Sequence, residues 1–180
     1  MKRLLAIIMV ITLSFCLMAC SFDDEPITVQ GDEQTSEEIT EEIKEEVKEE
    51  KTLGINGSAE FKKLKFTATE IKESTGTDFF VPEEGNVFVG VKFTIENISE
   101  EEQSVSSLLL FESYVDDIKS TYSISAACVF TEGTLDGTVA AGKKLVGWYS
   151  LEVPENWSEI EISVKGDWLS DKAATFVFNK

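Results

Sequence analysis

Asn86-Val87-Phe88-Val89-Gly90-Val91-Lys92-Phe93-Thr94-Ile95-Glu96-Asn97 decides the fold. Val87, Val89, Val91, Phe93 and Ile95 recur at every second position, and successive side chains of an extended chain point to opposite faces, so all five share one side of a strand. The other side runs from Phe88 and Gly90 to Lys92, Thr94 and Glu96. The pattern therefore predicts a strand that starts covered on both faces and ends with one face in water. Asn97-Ile98-Ser99 and Glu100 to Glu102 supply a polar, charged turn after it.

The same period spreads outward in both directions. Upstream, Leu64, Phe66 and Ala68 alternate with Lys65 and Thr67, and Ile71 then falls out of phase, which predicts a bulge or the end of a strand. Downstream, Val105, Ser107, Leu109 and Phe111 alternate, although Leu108 and Leu110 make that run apolar on both faces, and Asp116-Asp117 ends it in a turn. Tyr122, Ile124, Ala126, Cys128 and Phe130 share a phase, which predicts a further strand with Cys128 as a buried, structural thiol. Gly133 and Asp136-Gly137 mark turns. Leu145, Gly147, Tyr149, Leu151 and Val153 form another strand that ends at Pro154. Ile160, Ile162 and Val164, then Ala174, Phe176 and Phe178, close the chain. About seven short strands without a long helical period predict an all-β protein, an immunoglobulin-like antiparallel β-sandwich over residues 58–180. The cysteine and tryptophan hallmarks of antibody-type domains are missing, so twelve phenylalanines must supply much of the packing.

Two stretches carry a resemblance. Asn86 to Asn97 resembles the "G-N-x-F-V-x-V-x-V-x-V-x-N" strand of telokin-like, immunoglobulin-like domains of unknown function on lipoproteins of Gram-positive bacteria. Val139-Ala140-Ala141-Gly142-Lys143-Lys144-Leu145-Val146-Gly147-Trp148-Tyr149-Ser150-Leu151-Glu152-Val153-Pro154 is similar to that family's "L-x-P-G-x-x-x-x-G-x-x-x-F-x-V-P", with Ala141 in place of a proline and Leu151 in place of an aromatic. The resemblance covers roughly residues 60 to 165. It implies the sandwich and a surface lipoprotein, and it transfers no catalytic or ligand residue.

The amino-terminal stretch gives an address. Lys2 and Arg3 precede an apolar run from Leu4 to Phe15, and Leu17-Met18-Ala19-Cys20 has the look of a bacterial lipobox. This predicts a signal peptide over residues 1–19 and a lipid on Cys20 that holds the protein at the extracytoplasmic face of the cell membrane. Residues 20–57 read as an acidic linker: Ser21 to Gln34 as disordered, and 36–51 with helical tendency, because Ile39, Ile43 and Val47 recur every four residues. Thirteen acids stand against three lysines over residues 21–51, within a chain of net charge -18. Such a linker is expected to hold the domain clear of the bilayer.

Composition also excludes chemistry. The chain has no histidine, which removes the commonest general base, the commonest metal ligand and every Ser-His or Cys-His mechanism. Its acidity disfavours nucleic acid as a partner, because binding phosphates needs basic surface. No Asp-x-Asp-x-Asn-Gly calcium loop occurs, so neither cofactor nor metal is expected. Paired acids at Glu83-Glu84, Glu100 to Glu102 and Asp116-Asp117 sit on turns, whereas a glycoside hydrolase needs two carboxylates across a cleft. The expectation is thus a monomeric, non-enzymatic binding module for an extracellular or envelope partner. The alternatives are an accessory lipoprotein of an envelope or transport complex, and a weak carboxylate-dependent hydrolase. Phe79, Phe80, Trp148 and Trp157 form the candidate interaction patch. Trp148 lies on the polar face of its strand and is expected outside, whereas Phe79-Phe80-Val81 is expected to tuck into the sandwich end.

Overall fold

The computed structural model describes residues 27–29 and 52–180. The signal peptide, the lipobox at Cys20 and the helical tendency of 36–51 lie outside the described residues. The strands are β1 (Ile27–Val29), β2 (Ser58–Glu60), β3 (Leu64–Ser74), β4 (Asn86–Asn97), β5 (Gln103–Val105), β6 (Phe111–Val115), β7 (Ile118–Ser120), β8 (Gly137–Val139), β9 (Lys144–Pro154), β10 (Glu159–Lys165) and β11 (Ala173–Asn179). Two single-turn helices interrupt them, α1 (Ser107–Leu110) and α2 (Ile124–Ala127).

One sheet has the order β1-β2-β3-β4-β9, a second β11-β10-β6-β7, and β5 pairs with β8 in a small ribbon. Every pairing among these strands is antiparallel. The chain makes β3 and β4 in the first sheet, crosses for β6 and β7, returns for β9, and crosses again for β10 and β11. That alternation is the immunoglobulin-like, Greek-key sandwich, with β7 beside β6 instead of beside β9.

β4 lies inside the first sheet, between β3 and β9, and its alternating residues point into the core as its period requires: Val89, Val91, Phe93 and Ile95 are fully buried. The inner faces of the two sheets meet through a chain of rings. Phe61 meets Phe66 and Phe66 meets Phe111 edge-on, each at 5.8 Å; Phe93 meets Phe111 at 5.3 Å and Phe176 at 5.2 Å; Phe111 stacks on Tyr149 at 5.0 Å. Such pairs contribute about 0.5–1.5 kcal/mol each beyond the area they bury, which lets the domain hold without a disulfide. The phase slip at Ile71 is a bulge: the β3–β4 register shifts between Ala68 and Glu70. Asp116 and Asp117 both take positive φ, 46° and 65°, and form the two-residue turn between β6 and β7.

Three expectations are corrected. Tyr122 to Phe130 is not a strand; it holds α2, whose first turn is capped by Ser123 Oγ accepting from Ala126 N at 3.2 Å. A serine that satisfies an orphan helix N–H outweighs a two-residue apolar period that any short segment can mimic. Cys128 accordingly ends the helix and is exposed. Val105 to Phe111 is split by α1, where Asp136 Oδ1 accepts from Ser107 N at 2.8 Å. Finally, Ile27–Val29, inside the stretch expected to be disordered, pairs with the open edge of β2. Ile-Thr-Val is β-branched throughout, and an unpaired strand edge offers it hydrogen-bonding partners.

The domain also begins before residue 58. Leu53 is buried and forms a parallel bridge to Phe176, with Leu53 N donating to Thr175 O at 3.0 Å and Val177 N to Leu53 O at 2.7 Å.

Part of the outer face of β4 and β9 is covered too. α2 and the residues after it lie across it, with Phe130 stacked on Trp148 at 5.3 Å and Ala126 and Phe88 fully buried. Gly90 sits beneath them: a Cβ there would stand 2.9 Å from the Phe130 ring and 3.0 Å from Trp148. Gly90→Ala should therefore lower stability by about 1–3 kcal/mol, whereas Gly54→Ala, with nothing within 4 Å, should stay within about 0.5 kcal/mol. Urea denaturation of both variants checks this, and equal midpoints would refute the tight outer layer.

Candidate functional site

The four candidate patch residues divide into two pairs. Phe79 is 90% exposed and Val81 68%, with Phe80 partly exposed beside them. Trp148 is 5% exposed and Trp157 4%, so neither can contribute to a surface patch. Alternation with core residues predicts Trp148 outside, but that rule assumes a wet outer face, and here Phe130 covers it. Lys72 and Lys92 complete its enclosure, their ammonium groups 5.2 and 5.1 Å from the ring. Trp157 is held at the end of the sandwich by its Nε1, which donates to Glu73 Oε1 at 2.5 Å. The expectation that Phe79 and Val81 tuck in is likewise overturned, because their loop is built to keep them out.

That loop, residues 75–85, joins β3 to β4 and is rigid by its own bonding. Thr77 N donates to Phe80 O at 2.8 Å, and Thr77 Oγ1 accepts from Phe79 N and Phe80 N at 3.4 and 3.2 Å. Gly76, at φ +93°, leaves the gap in which Phe80 O sits; a Cβ would approach that oxygen to 2.1 Å. The far side is pinned by Glu152 Oε1, which accepts from Glu83 N at 2.7 Å and Asn86 Nδ2 at 3.2 Å. Glu155 N donates to Gly85 O at 2.8 Å. With backbone groups satisfied this way, the tip cannot turn inward without losing several bonds. Asp78, Glu83, Glu84 and Glu155 are exposed around the apolar residues, so the tip is greasy at its centre and acidic at its rim.

Of the other acids, Glu60, Glu70, Glu96, Glu112 and Glu132 pair with lysines, and several more accept in turns. Asp116 Oδ1 accepts from Ser158 N and Glu159 N, both at 2.9 Å, and Asp167 Oδ1 accepts from Leu169 N at 2.9 Å. Among the described residues, no group of three or more His, Cys, Asp or Glu side chains is arranged to hold a metal ion. Two grooves lie at the opposite end from the Phe79 loop. One of about 270 Å³ runs between α1, β6 and β7, with Tyr122 and Tyr149 among its walls. Burial raises the pKa of both phenols. The other, of about 420 Å³, lies between the β2–β3 turn and the β10–β11 loop.

The fold defines a class: a small immunoglobulin-like antiparallel β-sandwich. The chain belongs to the family described as a domain of unknown function, DUF4352, whose model matches residues 53–174. The match starts at Leu53, the residue that bridges to β11. No curated protein matches the chain. Among solved structures it is similar to a candidate lipoprotein, ycdA, from Bacillus subtilis, with 16% identity and a TM-score of 0.54 over 65% of this chain. The chain spans 36% of the length of that protein. It is also similar to a conserved hypothetical protein from Bacillus anthracis, with 14% identity and a TM-score of 0.52, covering 70% of this chain and 96% of the other. At these identities the likeness is one of fold.

Glu73 links this end of the sandwich to pH. Its carboxyl lies below the usual carboxylate range because the Lys180 ammonium hydrogen-bonds it, against the opposing effect of burial and with further help from the Trp157 indole N–H. A depressed carboxylate contributes stability that is present above its unfolded value and is lost as pH falls through the folded one. Trp157 emission should thus hold steady from neutral pH to about pH 5 and change below about pH 4. Glu73→Gln keeps the acceptor for Trp157 and should abolish that step. An acid transition unchanged in Glu73→Gln would contradict the assignment.

Proposed function

We propose that this protein is a lipid-anchored, extracytoplasmic binding module without catalytic activity, and that the β3–β4 loop is its contact surface. The observation that carries the reading is Phe79, an aromatic side chain 90% exposed at the tip of a loop whose backbone is hydrogen-bonded in place. Fixed apolar side chains bind well because their ordering cost is already met by the fold. Rings of this kind recur as interface anchors. The acidic rim of Asp78, Glu83, Glu84 and Glu155 favours a partner that brings an apolar pocket bordered by basic residues, and it disfavours anionic polymers.

The anchor is supported by Leu17-Met18-Ala19-Cys20 behind a basic and apolar leader, and by the shared fold of the Bacillus subtilis candidate lipoprotein. A carboxylate hydrolase is disfavoured by the use of Asp116, Asp167 and Glu152 as backbone acceptors. An accessory role in an envelope or transport complex differs from the favoured reading only in the partner.

Two experiments test the proposal. Metabolic labelling with a tagged palmitate should mark the wild type and not Cys20→Ala; equal labelling, or none in either, removes the anchor. A photoreactive phenylalanine analogue at position 79 should crosslink in cells to one envelope protein, and Glu83→Lys with Glu84→Lys should cut the yield several-fold. Absence of an adduct at position 79, or a yield indifferent to those charges, removes the loop from the contact. If the adduct is an integral membrane protein, the accessory role is the form the function takes.

A further inference from the structure

The corner of the domain opposite the Phe79 loop has the opposite character. Trp168 and Leu169, in the β10–β11 loop, are 64% and 72% exposed, and Leu108 and Leu109 of α1 are also exposed. The larger groove at this end is lined by Lys62, Lys63 and Lys172 together with Leu169, Asp167 and Asp171. Lys165, the last residue of β10, lines the smaller groove beside Leu108 and Leu109, so the two grooves flank the end of one strand. Glu100 to Glu102 stand at the same end, after β4, and do not line the larger groove. On a domain with a marked excess of acids, this corner gathers lysines, a tryptophan and leucines.

Chain geometry points to the same corner. β1 runs antiparallel to β2 with Ile27 opposite Glu60, so the chain leaves β1 towards its amino terminus beside the Phe61-Lys62-Lys63 turn. That turn packs on the β10–β11 loop, since a Cβ at Gly166 would stand 2.4 Å from the Phe61 side chain. Only residues 21–26 separate β1 from Cys20, and at roughly 3.3–3.6 Å per residue a fully extended chain reaches about 25 Å. A lipid on Cys20 would therefore be held within about 25 Å of Ile27, at the end of β1 that lies beside the Phe61-Lys62-Lys63 turn.

We infer that this corner docks on the bilayer itself, with Trp168, Leu169, Leu108 and Leu109 entering the interfacial layer and Lys62, Lys63, Lys165 and Lys172 meeting anionic phospholipid headgroups. Tryptophan settles at the headgroup level of a membrane, and lysines beside an anionic surface add attraction at short range. A lipid chain together with a basic, apolar patch holds more firmly than a chain alone. The inference rests on the anchored reading and replaces its long spacer with a domain seated on the membrane, Phe79 pointing outward.

The test uses the mature chain Cys20–Lys180 with Cys128→Ser, coupled through the Cys20 thiol to a maleimide lipid. The vesicles are phosphatidylethanolamine and phosphatidylglycerol carrying a diazirine on the acyl chain. Because the anchor is supplied chemically, the result does not depend on whether cells lipidate Cys20, which the palmitate experiment reads separately. Photolysis should place adducts on peptides containing Trp168-Leu169 and Leu108-Leu109 and not on the peptide containing Phe79. Lys62→Glu with Lys63→Glu should lower the yield at least threefold, as should replacing phosphatidylglycerol by phosphatidylcholine. Adducts concentrated on the Phe79 peptide, adducts spread evenly over the domain, or a yield unaffected by the lysine changes would each overturn the inference.

Discussion

β4 is buried on both of its faces from Phe88 to Val91, and most of the architecture follows from that. Its inner face meets the ring chain from Phe61 to Phe176; its outer face carries Phe88 and Gly90 under Phe130 and Trp148. A strand in a two-layer sandwich ordinarily keeps one face in water. Here the crossover between β7 and β8 forms a partial third layer, anchored where Ser123 N donates to Ser150 O at 2.8 Å and Thr134 N to Val146 O at 2.9 Å. Those bonds also use the free edge of β9, so the same segment closes a sheet edge that would otherwise invite pairing with another chain.

The two ends differ in character. One holds a hydrogen-bonded loop with Phe79 at its tip and acids around it, braced by Glu152 and by the Glu73, Trp157 and Lys180 group. The other holds lysines, Trp168 and the exposed Leu108, Leu109 and Leu169, beside the amino-terminal end of β1. Under the proposed anchoring, a domain with this polarity is oriented by its lipid, and orientation raises the effective concentration of the outward loop.

The sequence reveals the frame more readily than its surface. Alternation in β4 is legible because its partners bury the same face along most of its length, and Ile71 reports the bulge by breaking phase. Trp148 misleads because period two says which residues share a face and not what covers the other one. The run Gly147 to Leu151, without a charge, was the available signal that both faces of β9 are dry. α2 is too short to show a helical period, and only Ser123 marks its start. The exposure of Phe79 is legible only in part: Thr77, whose Oγ1 accepts from Phe79 N and Phe80 N, marks a local turn, but the brace on Glu83 comes from Glu152, 69 residues further along the chain. The exposed corner at Trp168 was missed for a related reason: Lys62, Lys63 and Lys172 are distant in sequence and converge only through the pairing of β10 with β11 and the approach of Phe61 to Gly166.

The most direct test of the doubly covered strand is native-state hydrogen exchange on the mature chain, residue by residue, across low denaturant concentrations. Amides of Val89 to Phe93 should exchange only through global unfolding, with the same free energy and denaturant dependence as the whole domain, while those of α2 and Phe130 open in a smaller step. Exchange of the β4 amides through a sub-global opening, ahead of β10 and β11, would contradict the account.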